Sequence, residues 1–592
     1  MSWESPPPYF QGFDLTELGG DEAYLNISWQ GENPAWLYTL SEECYLCPWE
    51  RISEISGWKN LTVHTHHPLH ILALSDGSEQ YIRTDSPSLQ STTLCNRTQR
   101  FGEFGVYNLN INNCSLDVLL EPVNENLALL VCFLFYVGLA FLCMGAKFIP
   151  GKPVHKFERL MGWRDDTAGS GKPRLRSLDT FRGISLAIMI FVNDGGGMYW
   201  FFEHATWNGL CVADLVFPWF LWIMGVCIPM SVRSNLRRKV PLSTVVWQIS
   251  VRSVKLFLLG FILNTLGGWI DLERLRVPGV LQRFGIAYFV VAVVANIVAI
   301  LTNFESKPSS SESKPGTSES NNNESKSGRS SKPGLFTDLK DLAPQWFIMS
   351  AILFAHQLII WLVAAPGCPQ GYRGPGGLHD WSPERNNSGC IGGITGYIDK
   401  AFFSTAHIYG NPTARSVYKA SEFDPEGILG TLTTIYYLVQ VWLGYQAGYI
   451  LQVYPDCKNR VSRLIIWSIS TGIISAILCG GEQNGGWVPI NKNLWSISYV
   501  MVTSCFAFAL LAFLYIVIDK KDWWKGQPFF YPGMNSILLY CGHSVAYNLF
   551  PFHFISGEMR THAARLPEAL WGTTLWIFIS FVLYKKKVFV TV

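Results

Sequence analysis

Apolar segments of helical length recur eleven times along this chain, and the polar loops between them alternate in character. A bilayer-spanning helix needs about 20 mainly apolar residues, so the repeated runs predict a polytopic membrane protein. The predicted spans are Leu127–Gly145, Leu178–Val192, Ala213–Met230, Ser250–Leu266, Val280–Leu301, Gln345–Ala365, Ile428–Leu451, Arg463–Leu478, Leu494–Val517, Ser536–Phe550 and Leu570–Tyr584. Charged residues make up only 15% of the chain, too few for a string of soluble domains, and a net charge of +2 gives no reason to expect nucleic-acid binding.

Loop charge sets an expected orientation, because cytosolic loops carry the excess of Lys and Arg. The loop after the first span holds Lys147, Lys152, Lys156, Arg159, Arg164, Lys172, Arg174 and Arg176. Every second loop from there is basic again, down to the Lys585–Lys587 tail. This reading places the C-terminus in the cytosol and the N-terminal region across the membrane. Sequons headed by Asn26, Asn60, Asn96, Asn113 and Asn386 fall on the side opposite the basic loops, where glycosylation occurs. Asn323 lies on the expected cytosolic side and is expected to stay unmodified. Cys44, Cys47, Cys95, Cys114, Cys368 and Cys390 share the sequon side and suit disulfides, with the pairing left open. The Cys44-x-x-Cys47 pair has no second such pair and no βαβ setting, so a structural role is expected over a redox or zinc role.

Residues 1–125 alternate in short apolar and polar stretches such as Leu69–Leu74, which predicts a small β-rich domain. The expected fold class is therefore a mainly α-helical polytopic protein of about eleven spans with that domain at its N-terminus. Spans fall into a first group (126–302) and a second (343–592), separated by a Ser/Lys/Glu/Asn linker (303–342) expected to be disordered and cytosolic. Loop 366–427 is rich in Gly, Pro and aromatic residues, and its length suggests function. The chain opens MSWESPPPYF, without a basic or apolar leader, so either a signal peptide is expected ahead of this start, the favoured reading, or the first span acts as a reversed anchor.

Polar groups inside apolar spans are costly, and each is a candidate functional group or buried glue between helices. Asp179 and Arg182 are spaced to pair along a helix. Asn193 and Asp194 precede Gly195–Gly197, a run suited to a tight turn. Arg252 and Lys255 are expected near the cytosolic end of the fourth span. Arg276 and Arg283 lead into the fifth, and His543 lies in the tenth. His204 stands among Tyr199, Trp200, Phe201 and Trp207, close in sequence to Asn193 and Asp214. An apolar surround lowers an imidazole pKa and a neighbouring carboxylate orients its ring. His356, between Phe354 and Leu358, reads as packing.

Longer strings carry a resemblance. Leu175–Gly183 (LRSLDTFRG), the Asn193 glycine run, His204–Gly209, Val212–Phe220 (VADLVFPWF), Arg276–Arg283 (RVPGVLQR), Asp424–Thr431 (DPEGILGT), Val488–Val500 (VPINKNLWSISYV) and Pro528–Leu538 (PFFYPGMNSIL) resemble the lysosomal heparan-α-glucosaminide N-acetyltransferase family. Arg100–Gly105 (RFGEFG) extends the likeness into the N-terminal domain. The resemblance implies a lysosomal membrane enzyme that carries acetyl from cytosolic acetyl-CoA, a co-substrate and not a resident cofactor, to the terminal glucosamine of heparan sulphate. It implies no metal, is compatible with a homodimer, and maps the family's active-site histidine to His204 and its neighbouring asparagine to Asn193. Basic residues at the cytosolic mouth, Arg176, Arg182, Arg252 and Lys255, would hold the donor's phosphates. With them, Asp179, Arg276, Arg283 and His543 complete the expected donor site. His204 would act as general base, or as a nucleophile acetylated in transit. A solute transporter, or a membrane acyltransferase with another acceptor, are the competing readings.

Overall fold

The computed structural model describes residues 7–77, 79–145, 175–266, 271–301, 334, 336–381, 387–420 and 433–590. Asn386, Asn323, Asp424–Thr431 and most of the 303–342 linker lie outside them.

Every one of the eleven apolar segments carries a helix. In chain order these are α1 (Asn126–Gly145), α2 (Arg176–Asn193), α3 (Val212–Arg237), α4 (Leu242–Leu263), α5 (Val280–Leu301), α6 (Thr337–Leu362), α7 (Thr433–Val453), α8 (Cys457–Cys479), α9 (Ile497–Leu514), α10 (Ser536–Val545) and α11 (His562–Lys585). Among the described residues, α3, α4, α5, α6, α8, α9 with its π-helical end, and α11 are the seven helices long and apolar enough to cross a membrane. Helices α1 and α10 are shorter apolar pieces. The more polar α2 and α7 sit inside the bundle, with Phe181, Leu186, Val441, Trp442 and Ile450 all buried. Helices screened from lipid by their neighbours need less apolar surface. The outer helices turn theirs outward instead, as at Phe133, Trp247, Phe347 and Ile473.

Close backbone approach fixes the centre. A Cβ on Gly444 of α7 would lie 2.0 Å from the Trp222 carbonyl oxygen of α3, and one on Gly225 of α3 would lie 2.0 Å from that of Val441. Small residues at such crossings let helices pack where the hydrophobic effect gives little drive. Trp219 on α3 donates its indole N–H to the Thr503 carbonyl of α9 at 3.2 Å.

Three helices start eight residues ahead of the sequence expectation. Residues Thr337–Leu342 belong to α6 and not to the linker. Helix α4 begins at Leu242, eight residues ahead of the expected Ser250, because Pro241 opens its first turn and the polar Ser243, Thr244 and Gln248 are carried as helix. Arg252 therefore lies midway along α4 and not at its end. Helix α11 likewise starts at His562, ahead of the expected Leu570.

The N-terminal region is β-rich, as expected. Four strands pair in the spatial order Ser115–Leu120, Val106–Asn110, Glu22–Trp29, Gly57–His64; five more in the order Tyr81–Ile82, Trp49–Ile55, Ala35–Ser41, Leu69–Leu74, Thr93–Gln99. Glu22–Trp29 runs parallel to Val106–Asn110 and antiparallel to Gly57–His64. Strict alternation along Glu22–Trp29 puts Ala23, Leu25 and Ile27 on one buried face, where they meet Leu37, Ile71 and Ala73 of the second sheet. Disulfides join Cys44 to Cys47, Cys95 to Cys114 and Cys368 to Cys390. Cys44 and Cys47 are buried with Trp207, Ile391 and Tyr418, so this pair ties the β domain to the membrane-side loops.

Candidate active site

The loop between α2 and α3 holds the most reactive grouping. It turns at Gly195, Gly196 and Gly197, whose φ values are +91°, +56° and +71°. Other residues pay a steric cost there, so the glycines let the chain reverse at the helix end. Farther on, Asn208 bridges to Asn491, and Gly209 donates its N–H to the Ile490 carbonyl at 2.8 Å. That seam carries Lys492 to the first turn of α3.

Asp214, in that turn, is fully buried. Its Oδ2 accepts the N–H groups of Ala205 (3.1 Å) and Cys211 (3.0 Å). Its Oδ1 accepts Nδ1–H of His204 at 2.7 Å and faces Nζ of Lys492 at 3.7 Å. A carboxylate can only accept, so the imidazole proton sits on Nδ1 and the Nε2 lone pair is free to act as a base. Burial lowers the His204 pKa, and the Lys492 charge lowers it further against the opposing pull of Asp214. The side chain still keeps 39% of its surface open, the condition of a group lining a cavity and not a packed core.

Two cavities meet at His204. The first, about 600 Å³, is walled by α2, α3, α4, α5 and α10. It follows one face of α3 from Asp214 to Ser231 and of α5 from Val280 to Asn296. At about 1.5 Å per residue this is a length of roughly 25 Å, close to the ~30 Å hydrocarbon thickness of a bilayer. The second cavity, about 710 Å³, lies between the β domain and the bundle. His204 and Thr413 line both.

Of the expected donor-site residues, Arg182, Arg252, Arg276 and Arg283 line the first cavity. Arg182 bonds Asp179 (3.3 Å) and the Gly533 carbonyl (3.2 Å), and it reaches Cys227, far along α3 from Asp214. Arg252 lies over the Tyr288 ring at 4.9 Å, Arg276 over Tyr409 at 4.5 Å and Arg283 near Phe217 at 5.8 Å. The arginines are thus spread along the cavity and not gathered at one mouth. Arg176 and Lys255 are exposed and do not line it; Arg176 donates its backbone N–H to Asp519 and accepts the Thr180 hydroxyl at its carbonyl. Asp179 is buried behind Arg182. Asn193 also lines the first cavity, and its Nδ2 donates to His543 Nε2 at 2.9 Å while His543 Nδ1–H points to the Leu539 carbonyl. His356 is buried edge-on to Tyr436.

The arrangement is that of a base held by a carboxylate at the end of a long, arginine-lined tunnel. The chain is 36% identical over 595 residues, 93% of its length and 86% of the relative's, to the heparan-alpha-glucosaminide N-acetyltransferase of Mus musculus. With the enzyme of the same name from Homo sapiens it is 37% identical over 644 residues, 99% of this chain and 90% of the relative. The chain belongs to the heparan-alpha-glucosaminide N-acetyltransferase family. It is an acyltransferase of the membrane-bound kind, and no family model matches it.

Of two further members of this acetyltransferase's site, the sequence pointed to one and not to the other. Asp214 stood out as an intramembrane carboxylate close to His204, and the helix start at Val212 explains why its side chain turns back to the loop. Lys492 gave no such signal, since only the Asn208–Asn491 seam brings it near.

A second cluster holds the β domain to the bundle. The Asp21 carboxylate contacts His562 Nε2 at 2.9 Å and His66 Nε2 at 2.8 Å, and His562 Nδ1–H bonds the Gly197 carbonyl at 2.8 Å. Burial raises the Asp21 pKa, but hydrogen bonds from His562 and His66 outweigh it and hold it at about 2. Beside them Glu103 is buried, and burial pushes its carboxyl up to about 7. Among the sequon asparagines, Asn60, Asn96 and Asn113 are exposed, whereas Asn26 is half-buried and its Nδ2 donates to Asn108.

Proposed function

We propose that this chain is a multi-pass lysosomal membrane enzyme that moves acetyl from cytosolic acetyl-CoA to the terminal α-glucosamine of heparan sulphate in the lumen. The observation that carries this reading is the meeting of two cavities at His204. A charged thioester donor cannot cross a bilayer, so donor and acceptor must approach one base from opposite sides. The positive loops, the sequons and the disulfides of the β domain support a lumenal N-terminus and a cytosolic C-terminus.

The four cavity arginines suit a polyanionic donor, since guanidinium groups pair with phosphate through charge-assisted hydrogen bonds. Arg182 and Arg252, farthest from His204, would take the phosphates and leave the thioester beside Asn193. The Asn193 amide keeps a second N–H after serving His543, and this can donate to the thioester oxyanion, an interaction worth roughly 3 kcal/mol in comparable sites. His204 Nε2 accepts the proton of the attacking amine as the C–N bond forms. The C–S bond then breaks and the imidazolium returns the proton to the leaving thiolate. Asp214 holds the ring in the required tautomer throughout.

The test is acetyl transfer from acetyl-CoA to glucosamine by solubilised protein, with His204→Ala compared at matched expression and folding. Wild-type transfer that the substitution abolishes is the expected result. Transfer that survives it removes His204 from the mechanism, and solute uptake without transfer by folded wild type returns the chain to the transporters.

A further inference from the structure

Across His204 from the arginine-lined tunnel, the second cavity has the opposite chemistry. Its wall is shared by the β domain, which gives Glu43 and His67, and by the α2–α3 loop, which gives Trp200, Glu203 and Thr206. Glu43 accepts the Thr206 hydroxyl, and its other oxygen lies 3.8 Å from His67 Nε2. Thr413 donates to the Thr206 carbonyl at 3.2 Å and closes the side shared with the tunnel. Trp200 is 39% exposed on the cavity wall, with its ring 5.7 Å from that of His67. An indole left open on a cavity wall, with carboxylates around it and a base at the floor, is an arrangement for a polar cation carried on a partly apolar body.

We propose that this cavity is the acceptor subsite, with Trp200 against the apolar face of an amino-sugar ring and the Glu43 and Glu203 carboxylates receiving its ammonium group. This rests on the acetyl-transfer reading and adds which residues meet the sugar. A carboxylate–ammonium contact is a charge-assisted hydrogen bond; the carboxylates take the ammonium's extra proton, and the neutral amine left beside Nε2 gives its next proton to His204 as the C–N bond forms. Since Glu43 belongs to the β domain, the subsite is incomplete without that domain.

Steady-state kinetics of the full-length protein with acetyl-CoA and a soluble α-glucosaminide test the assignment. For Glu203→Gln and for Trp200→Ala the acceptor KM rises about tenfold, the equivalent of 1.4 kcal/mol, while the acetyl-CoA KM stays within about twofold. Glu43→Gln follows the same pattern if its fold survives the loss of the Thr206 contact, and Glu203→Gln stands where it does not. Inhibition provides a second readout: the wild type binds a glucosaminide more tightly than the matching glucoside, and Glu203→Gln narrows that difference. Unchanged acceptor KM in both Glu203→Gln and Trp200→Ala, with active wild type, overturns the subsite alone. A folded wild type that transfers no acetyl overturns the reading on which it rests.

Discussion

Lys492 and His204 face the same oxygen of Asp214, Lys492 from 3.7 Å and His204 from 2.7 Å. The carboxylate thereby holds one neutral donor and one cation, and the ammonium group beside the imidazole opposes protonation of His204.

Removing that charge moves the acid limb of activity. The base must be neutral, so activity rises as pH passes upward through the His204 pKa. Lys492 helps to hold that pKa below its ordinary value, so Lys492→Met raises it and shifts the acid limb of the pH–rate profile to higher pH. Activity is lost most in acid and least near pH 8, and Lys492→Arg restores the profile. A profile that merely scales down at every pH assigns Lys492 a structural role only.

Asp214→Asn places an amide N–H against His204 Nδ1 and favours the tautomer in which Nε2 carries the proton. Loss of the base then costs on the order of 10²–10⁴-fold in kcat, read by acetyl transfer at saturating donor. His204→Ala should fall in the same range, and the double variant no lower than the worse single one.

Lining the tunnel separates Arg252 from the basic residues Arg176 and Lys255. Arg252→Gln raises the acetyl-CoA KM by roughly tenfold or more, since a hydrogen bond to a charged group contributes about 1.5–3 kcal/mol. Arg176→Gln and Lys255→Gln, off the cavity, leave it unchanged. Equal effects from all three would mean that the donor is held outside the bundle.

Glu103 makes the β-domain junction sensitive to alkali. Its folded pKa of about 7 lies above the ordinary 4.5, so its contribution is complete below 4.5 and is lost as pH rises through 7. The change amounts to about 3 kcal/mol. Of the groups facing it, His562 is itself held, against burial, up at about 9 by Asp21, so its own loss of stability starts above its ordinary 6.5 and overlaps the upper part of this range. The thermal unfolding temperature of the wild type therefore falls between pH 5 and pH 8, and Glu103→Gln flattens the part of that slope below about pH 6.5, where His562 does not yet contribute. An unaltered slope in the variant would place the sensitive group elsewhere.

Much of the fold was legible because apolar length and strand alternation are local signals. The helices follow the eleven segments, and Ala23, Leu25 and Ile27 lie on the buried face that their alternation implies. His204 was legible from its aromatic surround and from Asp214 ten residues on. Arg252 was placed too near a helix end because polar residues in the first turns of α4 hid its start. Lys492 and Glu43 could not be found locally: one reaches the site through a strand-like seam between loops, the other through a separate domain. Arg176 and Lys255 have the right charge, but which face of a helix looks into a cavity is set by neighbours that lie far away in sequence.

The junction of the cavities has a consequence for permeability. Where a recess nearly as long as a membrane is thick meets a second one beside His204 and Thr413, those side chains are also the partition between the two. An enzyme so built must be judged as a seal as well as a catalyst. A small residue in place of His204 would open a continuous wet path, and proton leakage through reconstituted vesicles would report it independently of any turnover.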